Sequence, residues 1–220
     1  MIIYSDEVYE PREDSYLLQS IIERYAAGKV LEIGVGSGIL TKTAASMQGV
    51  EHITGIDINR NAITATQDEL KKQHIPKKKY RLIKSDLFEK IDEKYDTIIF
   101  NPPYLPDDPK VKDPALDGGK QGYELIQRFI ENVNPYLSMA GAIFLLFSSY
   151  SRKNMIEKFI QDQELVYFEI ERKNIDNEIL YVYRIEKSPI LRELEAQGMK
   201  EIKKFSRGKR GVILKGIYEQ

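Results

Sequence analysis

The tetrapeptide Asn-Pro-Pro-Tyr at residues 101–104 carries the side chains in this chain that are best suited to chemistry. It follows residues 95–100, an apolar run that is typical of a buried strand. Prolines lack a backbone N–H and fix φ, so we expect the strand to end there. An amide, free carbonyl groups and an aromatic ring would then stand at the carboxyl end of a strand, where open α/β sheets bind ligands. Taken alone, the tetrapeptide could also be a turn that merely leaves a strand.

A glycine-rich loop lies upstream of the tetrapeptide. Residues 29–33 predict a strand, residues 34–38 read G-V-G-S-G, and residues 39–47 predict a helix. This order is typical of the opening of a doubly wound α/β unit. The spacing is not the dinucleotide fingerprint G-x-G-x-x-G, whose last glycine would fall on Ile39. A glycine loop by itself could be only a tight turn.

Acidic residues stand at the ends of the predicted strands. Glu32 closes the first strand, and a second strand over residues 52–56 ends in Asp57, about 20 residues beyond the loop, where an acid can accept hydrogen bonds from ribose hydroxyls. A solvated turn is the plain alternative. Asp86 follows a third strand over residues 80–84 and could address a nucleobase amine or cap a helix. Four strands with polar tips predict one adenosine-binding sheet.

The remaining periodicity supplies the other elements of such a sheet. A first amphipathic helix begins near Tyr16, with Asp14 and Ser15 as candidate caps. Residues 105–119, rich in proline and aspartate, predict a mobile lid or a substrate-facing loop, with an ordinary surface loop as the alternative. Further helices are predicted over residues 61–73, 123–133 and 152–161, a fifth strand over 142–147, and an antiparallel pair over 165–170 and 179–185.

Together these motifs resemble class I S-adenosylmethionine-dependent methyltransferases. Residues 31–38 match the first motif of that family, Asp57 its ribose acid and residues 85–87 its adenine-side motif. The resemblance implies S-adenosylmethionine as cofactor and a doubly wound, seven-stranded Rossmann-like sheet with a final antiparallel strand. The N-P-P-Y tetrapeptide narrows the class to enzymes that methylate a planar nitrogen, namely adenine N6, cytosine N4 or the side-chain amide of glutamine.

Two further stretches resemble the HemK/PrmC-type protein-glutamine methyltransferases. Residues 9–15 (Y-x-P-x-E-D-S) are similar to their N-terminal signature, and residues 117–124 to their glycine-containing segment after the catalytic loop. The chain lacks the long N-terminal helical domain of the bacterial enzymes and so resembles the short archaeal and eukaryotic branch. That branch modifies the glutamine of the Gly-Gly-Gln loop in class I release factors. A release factor as substrate and a small zinc-binding activator subunit as partner are therefore implied.

The resemblance also implies roles for individual residues. An amide nitrogen is a poor nucleophile, so its N–H hydrogens must be accepted as the transition state forms. In the family the asparagine oxygen and the first proline carbonyl do this, which assigns catalytic roles to Asn101 and Pro102, while Tyr104 packs on the planar group. The cofactor-binding residues implied are Glu13, Asp14, Ser15, Glu32, Gly34, Gly36, Gly38, Asp57, Ile58, Asp86, Leu87 and Asn101.

Composition restricts the other possibilities. Cysteine is absent and only two histidines are present, so we predict no metal site, no disulfide and no Ser-His-Asp triad. The formal net charge of -1 gives no overall attraction to nucleic acid. The acidic N-terminus is unlike a signal peptide, and the longest apolar run, residues 140–147, is too short for a membrane span. We therefore expect a cytoplasmic protein without membrane contact.

The C-terminal segment differs in charge from the rest of the chain. We predict a methyltransferase domain over residues 1–186 and a small basic α+β appendage over residues 187–220. The appendage contains nine lysines and arginines and four acids. A short helix ending near Gly198 and a glycine-turned hairpin over residues 205–214 are expected. The appendage could pack on the domain or dock RNA or a release factor. Residues 206–213 also weakly resemble the start of a protein-kinase glycine-rich loop, although no kinase catalytic segments follow.

Three alternatives to a protein-glutamine methyltransferase stay open. The same tetrapeptide would serve an adenine N6-methyltransferase acting on RNA or DNA, and the basic appendage is compatible with RNA. A protein lysine methyltransferase and a non-catalytic cofactor-binding subunit are further alternatives. The intact tetrapeptide beside an intact glycine loop argues against the last of these.

Overall fold

The computed structural model describes residues 8–106, 118–208 and 211–218, with side chains up to residue 198. The helices are α1 Glu13–Tyr25, α2 Ile39–Ser46, α3 Arg60–Lys72, α4 Glu124–Asn132, α5 Lys153–Asp162 and α6 Pro189–Ala196. The strands are β1 Gly28–Ile33, β2 Val50–Asp57, β3 Tyr80–Lys84, β4 Tyr95–Phe100, β5 Leu137–Ser148, β6 Leu165–Ile175, β7 Glu178–Lys187, β8 Met199–Gly208 and β9 Gly211–Tyr218. None of the helices in these ranges is long and apolar enough to cross a bilayer.

Seven strands form one sheet in the order β3-β2-β1-β4-β5-β7-β6. β1 to β5 pair in parallel, and β7 runs antiparallel to both β5 and β6. This confirms the predicted doubly wound sheet with its late antiparallel strand. The winding direction reverses between β1 and β4, and the crevice at such a reversal is where open α/β sheets bind ligands.

The central strands form because they are buried on both faces. Val30 and Leu31 of β1 and Ile98 and Ile99 of β4 are fully buried, as expected of parallel strands covered by helices on both sides. Ile33 pairs with both Ile56 and Phe100. The carboxyl ends of β1, β2 and β4 are therefore level, and whatever follows each strand meets at one edge.

The first helix begins earlier than the sequence predicted. Its N-cap is Arg12, whose side chain makes no capping hydrogen bond, and Asp14 and Ser15 lie buried inside the first turn. The capping prediction for these two residues was wrong. The Asp14 carboxylate instead accepts hydrogen bonds from Tyr9 and Asn101.

The C-terminal segment contains the expected helix and hairpin. Ser188 caps α6 by accepting a hydrogen bond from the Leu191 N–H at 3.1 Å. Lys187 is fully buried and its Nζ lies 2.6 Å from Glu195 Oε1, while the Leu191 side chain joins the main core. The start of the predicted appendage is thus buried against the sheet domain at Lys187, Ser188 and Leu191, and the division at residue 186 stays a prediction. β8 and β9 pair as a separate two-stranded sheet.

Candidate active site at the carboxyl edge of the sheet

The glycine loop after β1 is tied to the end of β2. The N–H groups of Gly34 and Val35 both donate to the Ile56 carbonyl, at 2.8 and 3.1 Å. Gly34 and Gly36 have positive φ values of 75° and 50°. A Cβ added at Gly34 would meet no atom within 4 Å, and one at Gly36 would meet only the Tyr9 carbonyl at 3.9 Å. The loop therefore presents open space over the crevice, as a ligand-binding loop must.

Gly38 has a different role in the structure. It precedes α2 with φ 85°, and an added Cβ would lie 2.9 Å from the Thr66 Cα in α3. Close packing of the loop on α3 accounts for this glycine. Its predicted contact with a cofactor stays a prediction.

Asp57 fixes the glycine loop to the strand end beside it. Its Oδ2 accepts the Gly36 N–H at 3.2 Å and its Oδ1 accepts the Asn59 N–H at 2.8 Å. Burial raises the pKa of the Asp57 carboxyl, and the backbone N–H groups of Asn59, Gly36 and Ile58 partly offset that rise. The carboxylate is thereby held rigidly at the crevice, with Ile58 directly after it.

Glu32 lies below the crevice. It is 2 % exposed and accepts a hydrogen bond from the Thr41 hydroxyl. Burial raises the pKa of Glu32 to about 8, with a further contribution from the Asp57 charge. The structure thus pairs this carboxyl with Thr41, a partner that the sequence did not indicate.

Asp86, the predicted adenine-side acid, forms an ion pair in the structure. Its Oδ2 lies 3.0 Å from Nη2 of Arg128 on α4, and both side chains are partly exposed. The next residue, Leu87, has φ 43°, an unusual conformation for a residue with a branched side chain. Arg128 was missed by sequence reasoning because its partner lies 42 residues away.

Asn101 emerges from β4 into a buried hydrogen-bond network. Its Nδ2 donates to Asp14 Oδ2 at 2.8 Å, and Tyr9 Oη donates to Asp14 Oδ1 at 3.1 Å. Ser15 Oγ lies 3.5 Å from the same Oδ1. Asn101 Oδ1 is buried and has no hydrogen-bond partner in the part of the chain that the structure describes. An unsatisfied buried acceptor is costly, and in a native protein it calls for an explanation such as a missing ligand.

Tyr104 closes the tetrapeptide and is 8 % exposed. Its backbone carbonyl accepts a hydrogen bond from the Ser151 hydroxyl at 2.7 Å. Burial raises the pKa of the Tyr104 hydroxyl, and the charges of Asp14 and Glu178 raise it further. The ring therefore stays neutral and lies in the same negative environment as the Asp14 network. Pro102 is also buried.

The glycines that follow the tetrapeptide, Gly118 and Gly122, are explained by close backbone approach. A Cβ at Gly118 would lie 2.6 Å from the Pro103 carbonyl, and one at Gly122 would lie 2.6 Å from the Tyr104 carbonyl. The segment thus rests against the tetrapeptide. Most of the predicted lid, together with Asp117, lies outside the described residues.

The structure groups the predicted residues unevenly. Asp14, Ser15 and Asn101 form one cluster, and Gly36 and Asp57 form a second. Glu13, by contrast, is exposed in the first turn of α1, and its predicted contact with a cofactor stays a prediction. Tyr9 was missed as a site residue, although its position in the signature over residues 9–15 was a usable signal.

The sheet order, the glycine loop after β1 and the acid at the end of β2 define a class I methyltransferase fold. The family model of the methyltransferase small domain matches residues 12–170. A Methanocaldococcus jannaschii protein named as a protein N5-glutamine methyltransferase is 40% identical over 158 residues, which cover 69% of this chain and 78% of that protein. Methyltransferase HEMK2 of Homo sapiens is 33% identical over 172 residues, covering 72% of this chain and 80% of its own.

A solved structure agrees with these relatives. The E. cuniculi Mtq2–Trm112 complex, responsible for methylation of the eRF1 translation termination factor, matches with a TM-score of 0.67 and 26% identity. The match covers 84% of this chain and 100% of that one. The chain belongs to the methyltransferase small domain family, and its relatives include protein N5-glutamine methyltransferases. Enzymes of this family generally take the methyl group from S-adenosylmethionine.

Proposed function

We propose that this chain transfers a methyl group from S-adenosylmethionine to the side-chain amide nitrogen of a glutamine in a class I release factor. The observation that carries the proposal is the buried Oδ1 of Asn101, which has no partner among the described residues and stands at the carboxyl end of β4 beside the open glycine loop. The names of the relatives and of the Mtq2 complex support a glutamine as the acceptor.

The proposed chemistry needs hydrogen-bond acceptors rather than a strong base. The lone pair of an amide nitrogen is delocalised, and accepting its N–H hydrogens localises electron density on nitrogen in the transition state. Asn101 Oδ1 and the Pro102 carbonyl would accept hydrogen bonds from these N–H groups, and Tyr104 would pack on the planar amide. The products would be the N-methylated amide, S-adenosylhomocysteine and one proton released from the nitrogen to solvent. Holding the nitrogen in line with the methyl group can supply on the order of 7–11 kcal/mol of the barrier reduction.

The residues at the crevice fit S-adenosylmethionine. The space in front of Gly34 and Gly36 is open, and the Asp57 carboxylate, which accepts the Gly36 N–H, would also accept hydrogen bonds from the ribose hydroxyls. Asp86 and Leu87 would lie on the adenine side once the ligand is present. When bound, the cofactor supplies an electrophilic methyl group. The protein residues around the crevice would orient that methyl group toward Asn101.

A small activator subunit is the partner that we propose, because Mtq2 was solved in a complex with Trm112. The RNA contact predicted for residues 187–220 stays a prediction, since most of its cations lie beyond the described side chains. Of the described ones, Lys187 pairs with Glu195 and Arg192 Nη2 pairs with Glu186 Oε2 at 2.8 Å. These two cations are therefore already engaged within the protein.

Transfer of a tritiated methyl group tests the proposal. Three acceptors are compared: a purified release factor, the same factor with alanine in place of the glutamine of its Gly-Gly-Gln loop, and RNA. Each is incubated with the enzyme in the presence and in the absence of a candidate activator subunit. We expect label in the intact factor alone. Equal label in the alanine variant, or label in RNA only, would overturn the assignment and favour a different acceptor.

A further inference from the structure

We propose that Asp14 is a positioning residue that sets which end of the Asn101 carboxamide faces the acceptor nitrogen. The inference rests on the proposed function of Asn101 as the group that accepts the acceptor's N–H. It concerns a hydrogen bond between α1 and the loop after β4 that neither motif indicates by itself. The two residues lie 87 positions apart in sequence, and their atoms lie 2.8 Å apart in the structure.

The chemistry of a carboxamide makes such a device necessary. The oxygen and the NH₂ group of asparagine are nearly equal in size, so packing alone hardly distinguishes the two orientations. Only the orientation with Oδ1 toward the crevice can accept an N–H from a substrate amide. With the group reversed, the NH₂ would face the substrate N–H, and donor would meet donor.

Asp14 resolves this ambiguity because a carboxylate only accepts hydrogen bonds. Its Oδ2 requires a donor, which holds Nδ2 of Asn101 against it and leaves Oδ1 of Asn101 on the other side. In the reversed orientation two acceptor oxygens would meet with no hydrogen between them. Losing a hydrogen bond to a charged group shifts such an equilibrium by about ten- to a hundredfold.

Asp14 is itself held in place. It is 4 % exposed, and Tyr9 Oη donates to its other oxygen at 3.1 Å. Its position in the first turn of α1 also favours a negative charge, because the N-terminal end of a helix carries a partial positive charge. The chain Tyr9–Asp14–Asn101 therefore fixes the orientation of the amide before any substrate arrives. A role for Asp14 in binding the cofactor directly would make a different prediction.

The two roles are separated by measuring turnover and cofactor affinity on the same variants. We expect Asp14→Ala to lower kcat by at least about tenfold, since a small misplacement of a catalytic group is that costly. The Kd of S-adenosylmethionine, measured by calorimetry, should stay within about twofold. The isosteric Asp14→Asn keeps the packing but can donate as well as accept, so we expect a smaller fall in kcat. The matched control is Asp96→Asn. Asp96 accepts a hydrogen bond from Ser138 Oγ at the opposite edge of the sheet, and its replacement should leave kcat unchanged.

A second readout needs no substrate at all. The side-chain NH₂ resonance of Asn101 in the ¹⁵N–¹H spectrum, assigned by its disappearance in Asn101→Ala, reports the bond to Asp14. We expect it to move in Asp14→Ala and Asp14→Asn but not in Asp96→Asn. An unmoved resonance, an unchanged kcat, or a Kd that weakens in parallel with kcat would each overturn the proposal.

Failure of the proposed function would look different. If the wild-type enzyme methylates another acceptor, kcat is measured on that acceptor and the comparison of variants still applies. If it methylates none of those tested, the assignment of the reaction fails, while the resonance and the cofactor affinity still decide whether Asp14 orients Asn101.

Discussion

Two segments of this protein have nearly the same sequence but lie at opposite edges of the sheet. Residues 101–104 read Asn-Pro-Pro-Tyr and follow β4, whereas residues 134–136 read Asn-Pro-Tyr and form a 3₁₀ turn directly before β5. Each asparagine donates its Nδ2 to a protein oxygen: Asn101 to Asp14 at 2.8 Å, and Asn134 to the Gln163 carbonyl at 3.1 Å. Each also leaves a buried Oδ1 without a partner in the described part of the chain. An orphaned amide oxygen is thus not a sufficient sign of an active site.

The surroundings distinguish the two asparagines. Asn101 lies beside the glycine loop and is oriented by a carboxylate, while Asn134 lies at the amino edge and donates to a neutral carbonyl. The tyrosines differ as well. Tyr104 lies near the charge of Asp14, whereas Tyr136 stacks on Phe88 with ring centroids 4.4 Å apart. We therefore base the role proposed for Asn101 on its position at the carboxyl edge rather than on the tripeptide.

Replacing each asparagine is the strongest way to break this comparison. We expect Asn101→Ala to lower kcat by about 10²–10³ or more, the usual cost of removing a group that stabilises developing charge, while S-adenosylmethionine still binds. Asn134→Ala should keep kcat and lose about 1 kcal/mol of stability, because one hydrogen bond to Gln163 is removed. Radiolabel transfer and thermal unfolding measure the two effects. Near wild-type turnover in Asn101→Ala would show that its amide has no catalytic role.

The same contrast extends to the acids at the two edges. Asp57 at the carboxyl edge accepts the Gly36 N–H of the glycine loop at 3.2 Å, and Asp96 at the amino edge accepts the Lys29 N–H at 3.0 Å. We expect Asp57→Ala to weaken cofactor binding by about ten- to a hundredfold, since hydrogen bonds to a charged group are lost. Asp96→Ala should leave the Kd unchanged. Calorimetry on both variants is the measurement, and equal Kd values would remove the ribose role of Asp57.

The sequence was sufficient for the elements that carry simple patterns. The bounds of β3 and β4 were predicted as the structure has them. β4 is an apolar run ended by Asn101 and two prolines, and β3 is a short Tyr-Arg-Leu-Ile-Lys segment between three lysines and Ser85. β5 begins at Leu137, five residues before its predicted start at 142. The added residues read Leu-Ser-Met-Ala-Gly, and of these only Leu137 is paired with β4, opposite Tyr95, before the register shifts. Pairing with a neighbouring strand, which no local pattern records, extends this strand.

The candidate site was predictable as a set of residues but not as a network. Asp14 and Asn101 were both named from motifs, yet their hydrogen bond depends on how α1 packs against the end of β4. The pairs Glu32–Thr41 and Asp86–Arg128 likewise join different elements. Asn134 shows the converse, because its local sequence resembles that around Asn101 while its place in the fold is different. Tertiary register therefore decides which polar groups are satisfied and which stay open.

Replacing Glu32 should have the smallest effect of these substitutions, and that effect is on stability. It allows two polar side chains of the carboxyl edge, Glu32 and Asn101, to be compared. Unlike the Oδ1 of Asn101, the Glu32 carboxyl accepts a hydrogen bond from a protein donor, the Thr41 hydroxyl. The Glu32 side chain is buried. Burial raises the pKa of Glu32 to about 8 in the folded protein from an ordinary value of 4.5. Between these two values the folded state holds a proton that the unfolded state has released. The Glu32 contribution to stability is therefore fully present below pH 4.5 and is lost as the pH rises to about 8.

We expect Glu32→Gln to remove this loss, because glutamine can still accept the Thr41 hydroxyl but does not ionise. The free energy of unfolding of the wild-type protein should fall between pH 5 and 8 relative to the variant, by at most about 1.4 kcal/mol per pH unit. Urea unfolding at several pH values measures the difference, and Asp96→Asn serves as the control at the opposite edge. Parallel curves for wild type and Glu32→Gln would mean that Glu32 is ionised in the folded protein over this range, and that the crevice above it carries a second fixed negative charge beside Asp57.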